Sequence, residues 1–257
     1  MAAKLWTREE LLVAFTLYSQ IPFGKLHSKN PDIIHFAKMI GRTPSALAMK
    51  LVNLASLDPF ITESGRSGLK GASNADRALW QEMRHDTDAF NQQCQLAIDH
   101  LGESVTPELD DNPKDFSGSE RVSTVKTRVD QNLFRKNVLE IYEYRCCVTG
   151  LEEPTLLVAS HILPWSHSIE QRLNPSNGLC LSSLHDKAFD RGLITFNENF
   201  ELVLSPQLKR LKSRVYTENF EKYEGKQLRF PLNYPPNNKY MAYHRDEIFG
   251  KAITLIN

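Results

Sequence analysis

The stretch RCCVTGLEEPTLLVASHILPWSHSIEQRLNPSNGLCLSSLHDKAFDRGLIT, residues 145–195, decides the fold through the order of its parts. An apolar run, LLVASHI, ends on His161 and is followed by Pro164-Trp165. NPSNG, residues 174–178, combines Asn, Pro and Gly as turns do. Leu179-Cys180-Leu181 then reads as a short apolar strand, and the next residues form a helix-like segment bearing His185, Asp186 and Asp190. The expected arrangement is strand, turn, strand and helix, with a histidine where the first strand ends.

Hydrolysis of a phosphodiester needs a base for water, a cation for the developing charge, and something to fix the base. Histidine is the side chain suited to taking a proton from water near neutral pH, and His161 stands where the first strand ends. Asn177 lies in the turn, where its amide can hydrogen-bond main chain near the histidine. Asp186 offers an oxygen ligand suited to a hard divalent cation. Taken singly, a histidine after an apolar strand is more often structural than catalytic. It is the combination and the spacing that point to nuclease chemistry. The segment resembles the ββα-metal finger of HNH endonucleases, and the resemblance extends over roughly residues 125–250. It implies His161 as general base, Asn177 as the orienting residue, and Asp186 with the adjacent His185 at the metal. Two departures stand out: the residue before the histidine, often an acid or a histidine, is Ser160, and the third family position is a carboxylate. Ser160 (through a water) and Asp190 therefore compete for metal ligation. The implied cofactor is Mg²⁺ or Mn²⁺. Cys146, Cys147 and Cys180 lack CxxC spacing, so buried thiols are expected and no structural zinc. His167 and His244 read as surface histidines.

Upstream, WTREELL sets Thr7 as N-cap of a helix with Glu9 and Glu10 in its first turn. IIHFAKMIG and, after Arg42-Thr43-Pro44, SALAMKLVNLAS follow with helical spacing. Two short helices joined by G-R-T resemble a helix-turn-helix, and the leading WTREE resembles Myb/SANT-type modules. A plain helical bundle gives the same pattern. Residues 60–74, rich in Gly and Ser, read as an exposed loop, and Ala75 to about Leu101 as one helix. Downstream of residue 195, residues 193–206 read as a β-hairpin around Asn197-Glu198-Asn199, and the Pro-rich stretch from 228 as a loop before a last helix.

The net charge is zero, but residues 99–120 hold seven acids against Lys114, while 121–147 and 4–84 lean basic. The reading is an α+β chain: a helical DNA-reading domain at 1–101, an acidic linker at 102–120, and an HNH ββα-metal nuclease domain at 121–257. Candidate phosphate contacts are Arg42, Arg66, Lys70, Arg128, Gln131, Arg135, Lys187 and Arg191. This domain order resembles small two-domain restriction endonucleases of the modified-cytosine-dependent kind, which implies double-stranded DNA with 5-methyl- or 5-hydroxymethylcytosine as partner. Trp6, Phe23, Phe60 and Trp80 are available to hold a flipped base, though core packing explains each as well. The alternatives are an HNH endonuclease indifferent to modification, specific or nicking, and a non-catalytic Myb-like regulator. No apolar run approaches a membrane span, and the opening MAAKLWTREELL lacks a signal peptide's pattern, so a cytoplasmic protein is expected. One finger holds one hydrolytic centre, hence an expected homodimer on DNA.

Overall fold

The computed structural model describes residues 5–63, 65–66, 68–69, 71–103, 129–164 and 173–251. The chain divides into two compact units, Met1–Asn132 and Leu133–Asn257. The boundary expected at the acidic linker, 102–120, lies almost wholly outside the described residues.

The first unit is helical and built around α1, Arg8–Gln20, in which every residue from Glu10 to Ser19 is buried. A helix buried on all sides belongs at the centre of its domain. Thr7 starts it with a full capping box: its hydroxyl accepts from Glu10 N–H, and its own N–H donates to Glu10 Oε2 at 2.8 Å. Around α1 lie α2 (Pro31–Met39), α3 (Pro44–Ala55), α4 (Pro59–Glu63), α5 (Asn74–His85) and α6 (Thr87–Glu103). Phe15 of α1 meets Trp80 and Phe90 edge-on at 5.0 and 5.1 Å, and Trp80 donates to the Leu54 carbonyl at 3.1 Å.

Two expectations are corrected here. The single helix over 75–101 is two, because Asp86 leaves helical geometry (φ −141°, ψ 85°) and its carboxylate accepts the Ala89 N–H as a new cap. The loop over 60–74 begins as helix α4, since Phe60 and Ile61 are apolar enough to be buried.

The second unit opens with α7, Val129–Ile141, most of which falls within it. Strands β1 (Leu157–His161) and β2 (Gly178–Ser182) pair antiparallel, with His161 opposite Gly178 and Ser160 opposite Leu179. Helix α8, Ser183–Asp190, follows directly, with Ser182 as its cap. The ββα finger is therefore present as expected. Strands β3 (Ile194–Phe196) and β4 (Leu202–Leu204) form the expected hairpin, followed by α9 (Pro206–Lys209), α10 (Arg214–Asn219) and α11 (Asn238–Tyr243). A π-helical turn, His244–Ile248, ends the described architecture. The core joins Phe134 and Val138 of α7 and Tyr142 just after it to Leu179 and Leu181 of β2, Phe189 of α8 and Phe196 of β3.

Cys146, Cys147 and Cys180 belong to this core, and burial pushes the Cys180 thiol up to about 12. Among the described residues no helix is long and apolar enough to cross a membrane.

Candidate active site

His161 closes β1 half-buried, its ring stacked on Phe134 of α7 at 3.6 Å between centroids and 14° between planes. This close approach of helix to strand needs the glycine opposite. A Cβ on Gly178 would lie 2.4 Å from Val138 Cγ2 and 2.9 Å from Phe134 Cζ. Asn177, only 3% exposed, fixes the chain just past the histidine. Its side-chain oxygen accepts the Leu163 N–H at 2.8 Å, and its carbonyl accepts the Ile162 N–H at 2.9 Å. The expected bonding of Asn177 to main chain beside His161 is thus seen, and the stack on Phe134 is a second restraint on the ring.

One residue before the histidine, the Ser160 hydroxyl is buried and its oxygen has no hydrogen-bond partner among the described residues. An unpaired buried hydroxyl is costly unless a ligand completes it. Burial raises the Asp186 carboxyl above its usual range. The nearby Ser160 hydroxyl and Lys187 charge oppose that shift, although the hydroxyl closes no full hydrogen bond. Asp190, one turn further on, is raised too, first by desolvation and then by the charge of Asp186.

These oxygens are hard donors of the type Mg²⁺ accepts, and Mg²⁺ commonly takes one or two carboxylates and completes its shell with water and substrate phosphate. Among the described residues no group of three or more His, Cys, Asp or Glu side chains is placed to hold a metal ion. Asp186 and Ser160 are the residues that would hold the ion.

His185 does not join them. Its ring is 1% exposed, with Nε2 donating to the Asn219 carbonyl and Nδ1 accepting from the Ser182 hydroxyl, both at 2.8 Å. With both nitrogens bonded, no lone pair is left for an ion, and burial lowers its pKa. His244, expected on the surface, is buried instead: Nε2 donates to the Phe189 carbonyl at 3.0 Å, Nδ1 pairs with Thr195 Oγ1 at 2.9 Å, and the ring stacks on Phe189. Nothing local in the sequence marks either histidine as buried.

The expected phosphate contacts divide. Lys187 and Arg191 are exposed on and just after α8, and Gln131 and Arg66 are exposed as well. Arg135 donates instead to the Leu157 and Pro154 carbonyls at 2.7 and 3.1 Å, where it supports the start of β1. Arg42 pairs with both Glu10 oxygens, at 3.0 and 2.6 Å, over the Trp6 ring. Lys70, Arg128, Trp165 and His167 lie outside the described residues. Of the aromatics named for a flipped base, Trp80 and Phe60 are core residues and Trp6 lies under Arg42 and Lys50.

No curated protein matches the chain. Among solved structures it is similar to a chain titled "Modification dependent TagI restriction endonuclease", with 20% identity and a TM-score of 0.32. That likeness covers 45% of this chain and 37% of the other, well under two thirds of its length. Residues 146–197, which hold β1, β2, α8 and with them His161, Asn177 and Asp186, match the HNH endonuclease family.

Proposed function

We propose that the chain is a divalent-cation-dependent DNA endonuclease, and that it restricts DNA containing modified cytosine in the cytoplasm. The observation behind the first part is the finger itself: His161 at a strand end, held by Asn177 and Phe134, next in sequence to an unsatisfied Ser160 hydroxyl beside Asp186.

In this reading the His161 imidazole takes the proton of the attacking water as the new P–O bond forms and the bond to the leaving oxygen breaks. Asn177 and Phe134 keep the ring in one orientation through the step. When bound by Asp186 and Ser160, Mg²⁺ or Mn²⁺ supplies positive charge to the phosphate oxygens. Lys187 and Arg191, exposed at the same helix, are placed to attract the backbone of the substrate.

The test is cleavage of supercoiled plasmid in Mg²⁺ or Mn²⁺ against a chelator control. Wild-type protein should cut; His161→Ala should lose at least about 100-fold in rate, the scale of a general base, while still binding DNA. Asp186→Asn should raise the metal concentration needed. Binding without any cutting would favour a Myb-like regulator.

The modified-cytosine part rests on the domain order, a helical unit ahead of the finger. Matched plain, 5-methylcytosine and 5-hydroxymethylcytosine substrates decide it. Equal rates on all three would leave an HNH endonuclease indifferent to modification.

A further inference from the structure

The helical unit spreads its cations over several elements: Arg66 and Arg77 are exposed away from α2, and Arg84 lies 5.6 Å over the Trp80 ring. Arg8, Arg42 and Lys50 are paired within the unit, to Glu82, Glu10 and Asp76 respectively. Lys25, Lys29 and Lys38 are all exposed, and none has a carboxylate or hydrogen-bond partner among the described residues. The stretch from Phe23 to Met39 that holds them contains one acid, Asp32, and two further exposed histidines, His27 and His35.

Exposed lysines are ordinarily just solvated, but Lys38 lies on α2, and Lys25 and Lys29 on the segment leading into it. Helices α2 and α3 are joined by Ile40–Thr43, with Gly41 at φ +64° making the bend and Thr43 capping α3. Ile33 and Ala37 of α2, with Leu47, Ala48 and Leu51 of α3, are buried. That leaves Ser45 and Met49 exposed on the N-terminal half of α3, Met49 at 57%. A helix-turn-helix lays the start of its second helix in the major groove while the first crosses the sugar-phosphate backbone. An exposed thioether on that second helix suits the apolar C5-methyl position of the groove.

We infer that this face is the duplex-DNA docking surface, with Lys25, Lys29 and Lys38 on phosphates and Ser45 and Met49 at base edges. The inference rests on the endonuclease reading and adds where the duplex is held. It also moves the phosphate contact away from Arg42, whose guanidinium is engaged by Glu10.

The experiment uses the full chain in a His161→Ala background, binding a short labelled duplex followed by fluorescence anisotropy between about 50 and 200 mM salt. Lys25→Gln, Lys29→Gln and Lys38→Gln combined should flatten the slope of log affinity against log salt by about 2.7, three phosphate contacts at roughly 0.9 each. At physiological salt the affinity should fall roughly 100-fold by the same relation, with an unchanged melting temperature. Met49→Glu should weaken binding at least about tenfold, since a carboxylate in the groove faces acceptors and phosphates. Wild-type slope and affinity in the triple variant would overturn the surface. If wild-type protein still cuts duplex in that case, the endonuclease reading stands without it. If wild-type protein neither binds nor cuts, both fail together.

Discussion

At Gly178 a single absent methyl group sets how closely α7 approaches β2. The hydrogen in place of a side chain leaves room for Val138 and Phe134, and Phe134 in turn lies flat against His161. Gly178→Ala should therefore act twice. Overpacking should cost about 1–3 kcal/mol of stability, readable by urea denaturation. Displacement of Phe134 should also slow cleavage beyond what the remaining folded fraction explains. A variant that lost stability but kept the full rate per folded molecule would show that the stack does not position the base. Asn177 offers a complementary case. Asn177→Ala leaves the Leu163 N–H without its acceptor, at about 1–3 kcal/mol, and frees the chain past His161. Asn177→Asp keeps an oxygen at that place and should recover part of the rate. If Ala and Asp variants cut equally slowly, the Leu163 bond is not what matters about this side chain.

Helix α8 is held at both ends by histidines that belong to the scaffold. His185 ties its first turn to Asn219 near the end of α10, and His244 ties its last turn to the π-helical segment. Gly192 lets the chain leave α8 at φ +63° under Ile248, whose carbonyl would lie 2.2 Å from any Cβ there. Burial lowers the pKa of His244 to about 4 from an ordinary 6.5, and that of His185 in the same direction. A buried neutral histidine favours the folded state fully above pH 6.5. The contribution is lost as pH falls from 6.5 towards 4, because the unfolded chain takes up the proton first. For His244 the loss approaches about 3 kcal/mol. Thermal melts of wild-type protein should show falling stability over this range, and His244→Gln should flatten the fall. A profile identical in both would remove His244 as the cause. These two residues also show what was legible. The finger could be read because its determinants are local: an apolar run, an Asn-Pro turn and a polar-faced helix, all within about fifty residues. His244 bonds across 49 and 55 positions to Thr195 and Phe189, and Arg42 reaches back 32 to Glu10. Long-range pairing of this sort leaves no periodic trace. Asp86 failed to announce itself for a different reason: aspartate inside a helix and aspartate capping the next one look alike in sequence.

On the proposed mechanism each chain contributes one finger, and one His161 would activate one water at a time. A duplex has two antiparallel strands, so its two scissile phosphates present opposite polarities to any single site. Cutting both needs either a second copy related by a two-fold axis or release and a second encounter. Plasmid cleavage separates the two. If chains pair only on DNA, open circles should accumulate at low enzyme concentration and give way to linear product as concentration rises, with the linear rate climbing more steeply than first order. Mixing wild-type with His161→Ala chains sharpens the test, because a mixed pair can only nick and the inactive chain should suppress linear product more than it suppresses nicking. Linear product formed without a nicked intermediate by a chain that sediments as a monomer on its substrate would rule out both routes. It would require a second hydrolytic centre that the HNH-like segment 146–197 does not supply.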